Sequence, residues 1–80
     1  MDRLIITRHD DMKTAQIITR LLNNEPPRPF DILYMTGLCY RLSKIMISDL
    51  TPDNYHIVTD VLGKYNIIVS ILETRYDYYI

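Results

Sequence analysis

The spacing of apolar and polar positions along the chain changes from segment to segment, and each change suggests an element. Leu4-Ile5-Ile6-Thr7 is a short, partly β-branched run bounded by charge, which predicts a strand over residues 3–7. Ala15, Ile18, Leu21 and Leu22 then recur at helical spacing with Ile17 beside them, while Lys13, Gln16 and Arg20 point away. A helix over about residues 11–23 follows, capped by Asp10 and closed by Asn23-Asn24-Glu25-Pro26-Pro27. In residues 31–48, Ile32, Met35, Leu38, Cys39, Leu42, Ile45 and Met46 form one stripe, with Asp31 as N-cap. Gly37, Arg41, Lys44 and Ser48 lie opposite, Tyr40 and Ile47 sit off the stripe on one flank, and Tyr34 sits on the other.

Thr51-Pro52-Asp53 has the composition of a third helix start, with Tyr55, Val58, Val61, Leu62 and Tyr65 as its buried face and Gly63 near its end. Residues 66–80 then read at a period of two. Ile68, Leu72, Tyr76, Tyr78 and Ile80 fall on one side; Ile67, Val69 and Ile71 begin the other, which turns charged at Glu73, Arg75 and Asp77. This predicts a terminal strand buried on both faces at its start and half exposed at its end.

The resulting order is strand, helix, helix, helix, strand. The expected fold is a single compact α+β domain over residues 1–80, with three helices packed on a small sheet formed by the N- and C-terminal strands. A competing reading breaks residues 31–48 into a hairpin turning at Thr36-Gly37, which would give a ferredoxin-like βαββαβ arrangement.

Composition narrows the class. The chain of 80 residues is 48% hydrophobic and 24% charged, which is ordinary for a globular domain and allows only one small core. One cysteine and two histidines supply neither a disulfide nor a structural zinc set, so no metal or other cofactor is expected. No apolar run approaches the ~18 residues of a membrane span, and the amino terminus lacks the pattern of a secretory signal. With its lone thiol, the chain is expected to be cytoplasmic. Residues 1–41 hold six bases and five acids and residues 42–80 three bases and five acids, far from the basic density of a nucleic-acid binder.

The string LIITRHDD resembles the amino-terminal signature of the histidine phosphatase superfamily, in which a strand leads into Arg-His-Gly. That resemblance implies that Arg8 binds phosphate and His9 is the nucleophile. The match ends after about eight residues, and Asp10 stands at the glycine position, placing an acid where phosphate must approach. His9, Asp10, Asp11 and His56 have no metal-ligand spacing, Cys39 lies on an apolar stripe, and Gly37 and Gly63 are isolated, which excludes a glycine-rich phosphate loop. No catalytic, cofactor or metal residue is therefore assigned.

Seven tyrosines are more than so small a core can use, because each buried ring also needs a partner for its hydroxyl. The expected function is a non-enzymatic protein–protein interaction module, an inhibitor or adaptor of the kind viruses and phages encode. Arg75, Tyr76, Asp77, Tyr78 and Tyr79 are its expected partner-binding residues, and the exposed strand end offers a route to a homodimer. The alternative is a small nucleic-acid-binding regulator with a winged-helix-like fold.

Overall fold

A computed structural model describes the backbone of residues 6–79 and the side chains of residues 6–77. It contains three helices: α1 (Arg8–Leu22), α2 (Pro29–Ser48) and α3 (Tyr55–Tyr79). No strand occurs among the described residues, so the fold is all-α rather than α+β. The sheet, the ferredoxin-like alternative and the winged helix-turn-helix all lose their basis. Most of the predicted strand over residues 3–7 lies outside the described residues; Ile6 forms a bend and Thr7 caps α1.

The largest correction concerns residues 66–79 of the expected terminal strand. They continue α3, which runs through Gly63 without interruption. The same aliphatic residues that alternate at a period of two also extend a helical series. Val58, Val61, Tyr65, Ile68 and Leu72 recur at intervals of three and four, and each is buried or half-buried against the core. Branched side chains cost a helix only a few tenths of a kcal/mol each, which burial of this face outweighs. Gly63 is no terminator, because no glycine among the described residues takes the left-handed conformation that ends a helix.

α2 and α3 form the main packed pair. Met35, Leu38 and Leu42 from α2 meet Val58, Tyr65 and Leu72 from α3, and Ile17 of α1 completes the buried set. At 25 residues α3 is ~37 Å long by helical rise, close to the 41 Å long axis of the whole molecule. The inward stripe of α2 is as its spacing predicts: Met35, Leu38 and Leu42 are buried, and Ile32, Cys39, Ile45 and Met46 are half-buried.

The helix ends are set by side chains. Thr7, not Asp10, caps α1: the Asp10 N–H donates to Thr7 Oγ1 at 3.1 Å and the Thr7 N–H donates to Asp10 Oδ2 at 3.0 Å. This reciprocal pair is a capping box. Asn24 adopts a left-handed φ of 58° after α1, a conformation asparagine tolerates better than most residues. Arg28 is the N-cap of α2 and Pro29 its first residue, so Asp31 lies inside the first turn. Before α3, Asn54 and Thr51 exchange side-chain hydrogen bonds, and Asn54 Nδ2 donates to the Asp49 carbonyl at 3.1 Å. Pro52 therefore lies in the preceding turn, three residues before the helix it was expected to begin.

α1 is rotated relative to expectation. Its inward line is Asp10, Thr14, Ile17 and Leu21, whereas Ala15 and Leu22 are exposed. Two polar residues occupy buried positions because each finds a partner on α2. That is the pairing rule that makes a buried polar group tolerable.

Candidate protein-interaction surface

Two buried carboxylates fasten α1 and the preceding loop to α2. Asp10 accepts from the Tyr34 hydroxyl at 2.6 Å and from Arg41 Nη2 at 3.1 Å. Asp31 accepts from Arg20 and, through two bonds of 3.1 and 2.9 Å, from Arg28. Burial pulls each carboxyl upward, but the hydrogen bonds and neighbouring positive charge outweigh it, and both titrate below the ordinary aspartate value. Tyr34 is pushed up to about 12 by burial and by its bond to Asp10. Thr14 Oγ1 points at Met35 Sδ, 3.8 Å away, and no buried side-chain nitrogen or oxygen among the described residues lacks a partner. These are structural ties with their bonding capacity already used.

The string that resembles the phosphatase signature forms the first turn of α1. His9 is exposed, and its ring meets the edge of Tyr34 at 6.3 Å. Asp10, at the signature's glycine position, is a buried acceptor aimed into the protein. Among the described residues no group of three histidine, cysteine or acidic side chains could hold a metal ion. Cys39 is half-buried on α2, and burial pushes its thiol pKa up, away from the reactive thiolate.

The expected partner-binding segment sits on the last turns of α3. Arg75 donates to the Leu21 carbonyl at 2.8 Å and so fastens α3 to the end of α1. Tyr76 is half-buried and Asp77 exposed; Tyr78 and Tyr79 belong to the helix, and their side chains lie outside the described set. A helix satisfies its own backbone, so this segment offers no strand edge. Strand pairing as a route to a dimer is thereby overturned.

A different surface stands out. On α2, Leu33, Tyr40 and Ile47 are 71%, 63% and 88% exposed. They are spaced by seven residues, so they align along one side of the helix, roughly opposite Met35, Leu38 and Leu42. Between and beside them lie Thr36, Gly37, Ser43 and Lys44, all exposed, with Lys44 the single charge. Lys44 Nζ rests over the Tyr40 ring at 4.8 Å. A Cβ added at Gly37 would have nothing within 4 Å. Phe30, also exposed, borders the stripe at the amino-terminal end of α2, with Lys13 Nζ 5.2 Å from its ring centre.

The apolar spacing of α2 leaves Tyr40 and Ile47 off the core stripe. The available signal for a site was the seven-residue repeat of large apolar side chains at 33, 40 and 47, on the side of α2 that the core does not use. No protein-family model, curated protein or solved structure matches this chain. Among the described residues, no helix is long and apolar enough to cross a membrane.

Proposed function

We propose that this chain is a non-enzymatic protein-binding module, an inhibitor or adaptor whose contact surface is the outward side of α2. The observation that carries this reading is the alignment of Leu33, Tyr40 and Ile47. A helix side facing water is normally polar, whereas this one presents three large apolar groups and one charge over about four turns. Tyrosine with aliphatic neighbours is a composition suited to helix-to-helix docking.

The basic side chains support a protein partner over nucleic acid. Arg20 and Arg28 are engaged with Asp31, Arg41 with Asp10, and Arg75 with the Leu21 carbonyl. Nucleic-acid affinity comes largely from cations free to displace counterions around phosphate, and these four are already committed within the fold.

The test is affinity capture by the tagged chain from lysate of its source, comparing the parent with Tyr40→Glu and with Ile67→Glu, which alters an exposed isoleucine on α3. The bound protein, untagged copies of the chain included, should be lost with Tyr40→Glu and kept with Ile67→Glu, at matching melting temperatures. A bound set unaltered by Tyr40→Glu would overturn the reading.

A further inference from the structure

We infer that the outward side of α2 is the interface of a symmetric antiparallel dimer, with a second copy of this chain as its occupant. The inference rests on the reading of that surface as a docking site and identifies what docks there.

The spacing is symmetric about one residue. Leu33 and Ile47 each lie seven positions from Tyr40, or ~10.5 Å along the helix axis. A two-fold axis passing beside Tyr40 and perpendicular to α2 therefore sets Leu33 against Ile47 of the second copy and Ile47 against its Leu33. The two Tyr40 residues meet at the axis. Equal spacing about Tyr40 lets the patch complement itself, as an isologous interface requires.

A small residue falls where that pairing needs room. The register that joins 33 with 47 also sets Gly37 against the Lys44 stem of the second copy, which lies on the same flank of the line through 33, 40 and 47, on both sides of the axis. Two tyrosine rings cannot share the axis. Helical side chains lean toward their own amino terminus, so the two Tyr40 rings lean in opposite directions away from the axis. Gly37 sits inside a 20-residue helix, where glycine costs about 1 kcal/mol relative to alanine, and nothing in its own chain approaches the space a Cβ would fill. The fold gives no reason for this glycine. Close approach of a second helix supplies one.

Charge selects the antiparallel arrangement. Lys44 is the single charge among these residues. In parallel pairing it would meet its own counterpart. In the antiparallel register the two lysines stand eight positions apart along the axis, about 12 Å, beyond the ~8 Å screening length of physiological salt. Area sets the strength. Leu33, Tyr40 and Ile47 expose on the order of 400 Å² per protomer. Doubled by symmetry, and bordered by Phe30 and the Lys44 stem, this approaches the ~1,200 Å² at the lower end of specific interfaces. An interface at that lower end is expected to be reversible.

Sedimentation velocity of the full chain from about 1 μM to 1 mM tests the dimer. A reversible monomer–dimer equilibrium is expected. Tyr40→Glu with Ile47→Glu should give monomer throughout at a parental melting temperature, and Gly37→Leu should weaken association at least tenfold with helicity retained. Cross-linking tests the geometry, in a Cys39→Ala background. Leu33→Cys and Ile47→Cys proteins should form disulfides when mixed and little when oxidised alone, whereas Tyr40→Cys alone should cross-link to itself. A monomeric parent at 1 mM, a dimer indifferent to the glutamate pair, or preferential 33-to-33 linkage would each overturn the inference. A monomeric parent whose capture of a foreign protein still depends on Tyr40 would defeat the second copy as occupant while leaving the docking surface itself in place.

Discussion

Arg75 Nη1 donates a 2.8 Å hydrogen bond to the carbonyl oxygen of Leu21, 54 residues earlier in the chain. Leu21 lies in the last turn of α1, and its carbonyl also accepts from the Asn24 N–H at 3.1 Å, so Arg75 adds a second, charged donor. A cation at that end also meets the negative pole of the helix dipole. One side chain thus anchors the closing turns of α3 to the end of α1. Arg75→Ala should lower stability by about 1 kcal/mol, a charged hydrogen bond discounted for partial exposure. Denaturant titration measures it, and an unchanged midpoint would show that the anchor contributes nothing in solution.

Leu72→Ala tests whether residues 66–79 really extend α3. Leu72 is as buried as Leu42, so both substitutions should cost about 2–5 kcal/mol. Ile67→Ala, at an exposed position, should stay within about 0.5 kcal/mol of the parent. In a strand buried on both faces, Ile67 would be as costly as Leu72. Comparable losses at the two positions would therefore contradict the helix.

Gly63→Ala gives a second, independent check. Gly63 lies inside α3 with nothing within 4 Å of a Cβ built there, and no described glycine has positive φ. Alanine should therefore raise stability by about 0.5–1 kcal/mol. If Gly63 instead ended a helix in the left-handed conformation, the same change would destabilise. The sign of the shift in melting temperature decides between them.

Acid should loosen the attachment of α1. Asp10 and Asp31 titrate below their ordinary value in the folded chain, so the unfolded chain binds more protons as pH falls. Their contribution is fully present above the unfolded pKa of about 4. It is lost as pH drops through the lower, folded values. Stability should therefore fall as pH drops below about 4, and Asp10→Asn with Asp31→Asn should flatten that dependence while lowering stability at neutral pH. Tyr34 acts at the other extreme: its pKa, pushed up to about 12, implies a contribution lost above the unfolded value of about 10. Equal acid slopes for parent and double variant would show that other carboxylates govern the transition.

His9→Ala should leave melting temperature and partner binding unchanged. His9 is exposed, and its one described contact is the ring edge of Tyr34. Loss of activity in a fully folded His9→Ala protein would restore the phosphatase resemblance as a functional lead.

Sequence alone marked the inward side of α2, because seven apolar positions at helical spacing fit one face, and the structure resolves the competing hairpin in favour of the helix. Sequence also determined that Leu42 and Val58 are core residues, and that an asparagine turn and a proline run close off α1. Tertiary structure decided what periodicity left ambiguous. The run Ile67-Ile68-Val69-Ser70-Ile71-Leu72 satisfies a strand at a period of two and a helix at three and four. Only packing against α2, in phase with Val58 and Tyr65, selects the helix. Tertiary structure also placed Asp10, Thr14 and Asp31 inside. Their partners, Tyr34, Arg41, Met35 and Arg20, lie 11 to 31 positions away, and no local pattern predicts that they meet. Local spacing specifies which side of a helix is apolar. Burial is a property of the neighbour, and so the buried polar residues of α1 could be told from its exposed ones only once α2 had taken its place.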